Sequence, residues 1–313
     1  MSLRIAYYGD DFTGATDTLA TATQGGLRAL LFLRVPTAEM IAAAGELDCV
    51  GIAGASRSMA PADMEAELAP VATCFAALDA PVIHYKTCST FDSAPQVGNI
   101  AVALAALSRA VSNRFIPIVG GQPNIGRYCV FGNLFAAAQA GGPVFRIDRH
   151  PTMSRHPVTP MGEADLRLHL TEQGMKDIRS FAYPAYAMPA GDLDRHIADA
   201  IGEGGALLFD VTRPADLAPI GRAIWREAQR DKLVAAGPSG VTQALCAHWH
   251  ETGEVAAPSA SPAATSPGTR RMRASPAASP MCRRTGRRPA SSAPCRPARP
   301  KPTRPPPKWR AAA

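Results

Sequence analysis

Along the first 255 residues, short apolar runs alternate with longer stretches in which apolar positions recur every three or four residues. Residues 3–8 precede a helical pattern over 14–24, residues 29–33 precede 38–44, and residues 49–53 precede 60–78. The run 82–85 leads into a longer helix, expected over 97–111, where Val97, Ile100, Ala101, Leu104, Leu107 and Val111 line one face and Ser108 and Arg109 are left to solvent. Residues 115–119, 144–147, 206–211 and 232–236 add strand candidates, the last two separated by a helix over 217–230. Strands this continuously apolar, alternating with helices, predict an α/β fold: a mostly parallel sheet with helices on both faces.

The pattern stops near Val255. Residues 256–313 are almost entirely Ala, Pro, Arg, Ser, Thr and Gly, hold 13 of the 29 prolines, and contain no Leu, Ile, Val, Phe or Tyr. Such a segment lacks the apolar area to offset chain entropy, so it is expected to be disordered. An out-of-frame reading of a GC-rich gene produces this composition, and a genuine Pro/Arg-rich tail is the competing reading.

Charge follows the same division. Thirteen of the 33 basic residues and none of the 26 acidic ones lie beyond residue 255, so the formal net charge of +7 hides a body at −6 and a tail at +13. The basic balance is therefore no sign of a nucleic-acid-binding globular domain. Residues 1–255 are enough for one large domain or one and a half ordinary ones, at roughly 100–200 residues per domain. The sequence has no stretch approaching the ~20 apolar residues of a membrane span and no long apolar leader at its start, which reads as cytoplasmic. Cys49, Cys74, Cys88, Cys129 and Cys246 are odd in number and lack C-x-x-C spacing, so reduced thiols are expected rather than disulfides or a zinc site.

Polar segments fall where strands end and helices begin, the edge at which open α/β sheets bind ligands. The first is Tyr8-Gly9-Asp10-Asp11-Phe12-Thr13-Gly14-Ala15-Thr16-Asp17. Adjacent carboxylates would repel a phosphate but suit a polyol, accepting from its hydroxyls or acting as general base; a helix cap is the plainer role for one of them. The second runs from Lys86-Thr87-Cys88-Ser89-Thr90-Phe91-Asp92-Ser93-Ala94-Pro95 to Gly98-Asn99-Ile100. A lysine among hydroxyls suits an anionic, hydroxylated small molecule, although Asp92 or Ser93 serves equally well as a turn element and Lys86 as a solvated charge. Arg57, after the strand 49–53, is placed to grip a carboxylate bidentately, or is a solvated loop residue. Pro123 to Tyr128 form a turn-rich loop with one more cation, Arg127. His150, His156, His248 and His250 lack an acidic partner at metal-ligand spacing, so no metal is expected. Gly237-Pro238-Ser239-Gly240 lacks the Gly-x-x-x-x-Gly-Lys-Ser/Thr pattern and reads as a strand-to-helix turn.

Taken in order, Gly-Asp-Asp-Phe-Thr-Gly-Ala from Gly9, the Lys86 to Pro95 run with Gly98-Asn99-Ile100, and Pro123 with Gly126-Arg127 resemble the four-carbon acid sugar kinases, the family of threonate, erythronate and 3-oxo-tetronate kinases. His156 to Met161 and Gly237 to Val241 also resemble family segments, and the resemblance runs over residues 3–250. It implies an N-terminal α/β domain, here 1–255, that binds the sugar acid, and a C-terminal ATP-binding domain. Phosphoryl transfer to the terminal hydroxyl, with ATP and Mg2+, would occur between them. The family's Gly/Ser-rich nucleotide segments have no counterpart in 256–313, so the nucleotide site is expected to be absent as translated and phosphoryl transfer lost. By the same resemblance Asp10 and Asp11 would hold substrate hydroxyls, one of them as base. Arg57, Lys86 and Arg127 would neutralise the carboxylate, and Ser89, Thr90, Asp92, Ser93 and Asn99 would complete the lining. A non-catalytic sugar-acid-binding protein is the alternative. A third reading has the basic tail holding nucleic acid or a membrane surface, but with Trp309 as its one aromatic it lacks a base-stacking series, so such contact should be non-specific and lost at moderate salt.

Overall fold

The structure, a computed structural model, describes residues 3–202 and 204–257. The expectation of disorder in the Pro/Arg-rich segment falls, from residue 258 onward, outside the described residues.

The main sheet contains β1 (Ile5–Gly9), β2 (Ala29–Phe32), β3 (Cys49–Ala53), β4 (Val82–Lys86), β5 (Phe115–Val119), β9 (Arg179–Phe181), β10 (Gly205–Phe209) and β11 (Leu233–Gly237). Their order is β2-β3-β1-β4-β11-β5-β10-β9, and every pairing is parallel. The intervening segments form α1 (Phe12–Gln24), α2 (Ala38–Ala43), α3 (Pro61–Leu78), α4 (Ile100–Leu107), α5 (Leu166–Glu172), α6 (Ala190–Ile201), α7 (Leu217–Arg230) and α8 (Gly240–Thr252). Three further strands, β6 (Arg127–Val130), β7 (Asn133–Ala137) and β8 (Val144–Arg146), make a separate antiparallel sheet.

Period-two alternation distributes the strand side chains to two cores. Tyr8, Ile52, Tyr85 and Val234 face the helices α3, α4 and α5 through Met64, Phe75, Leu104 and Leu170. Tyr7, Val82, Phe115 and Leu233 face α1, α6, α7 and α8 through Ala22, Ile197, Ile224 and Trp249. Both faces of β1, β4 and β11 are buried along their whole length, which is why these strands read as continuous apolar runs. At about 1.5–3 kcal/mol for each large side chain removed from water, the central strands form a rigid floor for whatever their ends present.

The expected architecture, a parallel sheet with helices on both faces, is borne out, with corrections of detail. The segment expected as a strand at 144–147 is β8, and it pairs antiparallel with β7 outside the main sheet; an apolar run shows strand propensity but not its partner. The helix expected over 97–111 starts at Ile100 and ends at Leu107, because Asn99 caps it by accepting from the Val102 amide at 2.9 Å and Gly98 holds φ +63°. Its apolar periodicity extends through the preceding loop, where Val97 only closes a turn onto Ala94.

The chain leaves β1 through α1 toward β2 on one side and returns from β3 through α3 to β4 on the other. The order of strands therefore reverses at β1, and the loops at its C-terminal end part to leave a crevice.

Candidate functional site

That crevice is lined by the residues that close four parallel strands. Asp10 and Asp11 follow β1, Arg57 lies in the turn after β3, Lys86 is the last residue of β4, and Gln122 follows β5. Asp10 is buried, and its two oxygens accept from Arg57 Nε at 3.0 Å and Nη2 at 2.7 Å. Arg57 Nη2 also reaches Asp11 Oδ1 at 3.0 Å. Burial pushes the Asp10 carboxyl above its ordinary range, with Arg57 and then Lys86 pulling the other way. Asp11 caps α1, its Oδ1 accepting from the Gly14 amide at 2.7 Å. The capping role weighed for this pair thus falls to Asp11, while Asp10 holds the arginine.

Lys86 corrects the picture of a solvated loop charge. It is the last residue of β4, is 3 % exposed, and donates from Nζ to the Thr87 carbonyl at 2.7 Å. Among the described residues no carboxylate pairs with it. Its ammonium passes over the start of α1: a Cβ on Gly14 would lie 2.6 Å from both Lys86 Nζ and Asp11 Oδ1, so a larger residue there would displace both side-chain ends.

Two clefts flank the Asp10-Asp11-Arg57 cluster. One, of about 270 Å3, is lined by Asp11, Asp17, Arg57, Lys86, Ser89 and Gln122. The other, of about 330 Å3, is lined by Asp10, Phe12, Arg57, His156, Val158 and Thr159. Asp11 and Arg57 face both.

The remaining residues singled out from the sequence take internal roles or a different place. Thr90 Oγ1 donates to Asp92 Oδ1 at 2.6 Å and lies 3.0 Å from the Cys88 thiol, which burial and then Asp92 push up to about 11. Ser93 accepts from Gln173 Nε2 at 2.8 Å and lies 2.9 Å from His169 Nε2. Asn99, besides capping α4, donates to the Gln173 carbonyl at 3.0 Å. Thr90 and Asp92 thus bond within the loop after β4, Ser93 and Asn99 tie that loop to α5 and its C-terminal cap, and Ser89 alone of the hydroxyls weighed there lines the cleft with Lys86. Arg127 donates to the Ile125 and Ala137 carbonyls at 3.0 and 3.1 Å and lines a separate hollow against the β7–β8 turn.

Two residues of the cleft went unread in the sequence. Asp17 Oδ2 accepts from Ser239 Oγ at 2.5 Å and from Gln122 Nε2 at 3.2 Å. Asp17 was signalled by its spacing, one helical turn past Gly14 on the same face. Gln122 carried no signal beyond its place just after a buried strand. The Gly237 to Gly240 turn joins β11 to α8 as expected: the Gly237 carbonyl accepts from the Thr87 amide at 2.9 Å and His84 Nε2 lies 3.0 Å away. Among the described residues no group of three or more metal-ligating side chains converges, and no helix is long and apolar enough to cross a membrane.

The reversal point of this open parallel sheet thus presents a buried lysine and several carboxylates to a small cleft. The chain belongs to the family described as the sugar-binding N-terminal domain, which matches residues 5–245. It is 44 % identical over 252 residues to the 3-oxo-isoapionate kinase of Paraburkholderia graminis, covering 80 % of this chain and 53 % of the relative. It is 31 % identical over 247 residues to the 3-oxo-tetronate kinase of Pseudomonas fluorescens, covering 79 % and 54 %. A Bordetella bronchiseptica structure with bound citrate, a domain-swapped dimer, shares the fold at a TM-score of 0.61 and 21 % identity, over 80 % of this chain and 58 % of that one. The resemblance to the four-carbon acid sugar kinases is thereby borne out at the level of the family. The chain spans about half the length of the curated relatives it matches.

Proposed function

We propose that this chain is the acid-binding half of a cytoplasmic kinase for small sugar acids, of the kind named for its relatives, and that the cleft beside Lys86 takes the acid. The observation that carries the reading is the buried ammonium of Lys86, which makes no ion pair among the described residues and lines a polar cleft. A buried cation held by one carbonyl is costly unless a counter-charge arrives, and a carboxylate ligand supplies it. Arg57 adds positive potential, although its fork is already committed to Asp10. Of the two adjacent aspartates, Asp11 is the one that faces this cleft and is the better candidate to accept a proton from a substrate hydroxyl. Asp10 acts by fixing Arg57. Ser89 completes the rim.

The relatives' names make ATP with Mg2+ the expected phosphoryl donor. The described residues do not fit that group. In the Gly237 to Gly240 turn the Ser239 hydroxyl is spent on Asp17 and on Thr18 Oγ1 at 2.9 Å, and a Cβ on Gly240 would lie 2.1 Å from the Gly121 carbonyl, so the turn is packed shut. A non-catalytic sugar-acid-binding protein is the second reading, favoured by this lack of a phosphate cradle among the described residues. Titration calorimetry with threonate, erythronate and 3-oxo-tetronate tests both: binding of at least one acid is expected, and no heat with any of them at millimolar concentration would overturn both. Formation of ADP and phosphorylated acid from ATP, once the half of the relatives' length that this chain does not span is joined to it, separates them.

A further inference from the structure

We propose that Asp17 and Gln122 are the hydroxyl-reading residues of this cleft, which Lys86 also lines, and so make it select acids that carry hydroxyls beyond carbon 2. The inference rests on the reading that the cleft binds a sugar acid, and adds which residues distinguish a polyhydroxy acid from a plain one.

Three observations converge. Asp17 lies on the cleft wall with no cationic partner among the described residues; its Oδ2 is held by two neutral donors, Ser239 Oγ at 2.5 Å and Gln122 Nε2 at 3.2 Å. A carboxylate fixed in this way leaves Oδ1 to accept from a ligand. Gln122 is fully buried on the same wall, and its Oε1 has no hydrogen-bond partner. The carboxylate decides the orientation of the amide, because turning it over would set Oε1 against Asp17, so the orphan oxygen stays on the side away from Asp17. A buried amide oxygen without a donor costs stability unless a ligand hydroxyl supplies one.

The cleft thus holds both kinds of partner. Lys86 offers N–H donors, while Asp17 Oδ1 and Gln122 Oε1 are acceptors without a donor of their own. A molecule with a carboxylate at one end and hydroxyls along its chain satisfies both. A dicarboxylate would set its second charge against Asp17, and an unhydroxylated acid would leave Gln122 Oε1 unsatisfied. The Asp17 carboxylate is also tied through Ser239 to the Thr18 hydroxyl, 2.9 Å from Ser239 Oγ, so its position is set by α1 and the start of α8 together. That rigidity lets it discriminate between hydroxyl positions rather than follow them.

The test uses the 313-residue chain, the tightest-binding isomer among threonate and erythronate, and 2-hydroxybutanoate, which keeps the carboxylate but lacks hydroxyls on carbons 3 and 4. Calorimetry should show that Asp17→Asn and Gln122→Met each weaken the polyhydroxy acid by roughly tenfold while leaving 2-hydroxybutanoate within about twofold of wild type. Retained binding of 2-hydroxybutanoate also shows that each variant has folded. Unchanged affinity for the polyhydroxy acid in both variants, or an equal loss for both ligands, would overturn the assignment while leaving the acid-binding reading standing. Failure of wild type to bind either acid would overturn that reading itself, and this inference with it.

Discussion

Replacing Lys86 with methionine separates the two things this side chain does. In the folded chain its ammonium is almost wholly withdrawn from water and meets one neutral acceptor, the Thr87 carbonyl at 2.7 Å. A neutral side chain of similar length removes the desolvation cost and forfeits one hydrogen bond worth about 1 kcal/mol. The fold should therefore keep its stability to within about 1 kcal/mol. For a bound carboxylate the balance is different, since a charge-assisted hydrogen bond in a sheltered cleft contributes about 1.5–3 kcal/mol, equivalent to a loss of roughly 10- to 150-fold in Kd. The assay pairs urea unfolding with calorimetric titration of threonate or erythronate on the same preparations. A fall in affinity with an unshifted unfolding midpoint supports the argument. Equal affinity in Lys86→Met and wild type would refute it, because an ammonium that touched the carboxylate cannot be removed without cost. Large destabilisation would refute the other half, showing that Lys86 is held by more than the Thr87 carbonyl.

The Arg57 and Asp10 pair should behave oppositely: Arg57→Met leaves a buried carboxylate unpaired and should cost about 3–5 kcal/mol, with much of it recovered in the double variant Arg57→Met, Asp10→Asn, and a strictly additive double-mutant cycle in urea would show that the two do not act as a unit. Burial brings His84 down to about 3, so the unfolded chain takes up a proton near pH 6.5 that the folded chain refuses, and stability contributed by the neutral ring is full above pH 6.5 and falls as pH drops toward 3. Between pH 7 and 5 this amounts to about 2 kcal/mol, and His84→Gln should flatten the stability profile measured by urea unfolding over that range; an identical slope would place the acid sensitivity elsewhere. Finally, the chain should bind the acid yet form no ADP or phosphorylated acid from ATP, since the Gly237 to Gly240 turn offers no cradle; turnover well above background in an ADP-coupled assay would mean that the described residues hold a nucleotide site in another place.

What the sequence made legible, and what it hid, follows from how far apart the interacting residues lie along the chain. The central strands of the main sheet announced themselves because both faces of β1, β4 and β11 are buried, so their apolar runs need no partner to be recognised, whereas the three-residue edge strand β9 did not. The antiparallel strands β6 and β7 did not, being half-exposed in part and defined by pairing with each other. Helix α6 lies outside the expected elements, although Leu193, Ile197 and Ile201 recur at helical spacing on its buried side. Asp10, Asp11, Arg57 and Lys86 could be placed together from the sequence because each closes or follows a strand that the apolar pattern marks, and strand ends share one edge of a parallel sheet. The same rule put Ser93 and Asn99 beside them, where the structure turns both toward α5. The partners that tie this loop to α5, His169 and Gln173, lie more than seventy residues away. The acceptors of the cleft were hidden for the same reason: Asp17 is joined to Gln122 across 105 residues and to Ser239 across 222. A carboxylate's role depends on whether a cation reaches it. Asp10 has its arginine, whereas Asp17 is met only by neutral donors. Which aspartate is which depends on contacts that only the folded chain brings together.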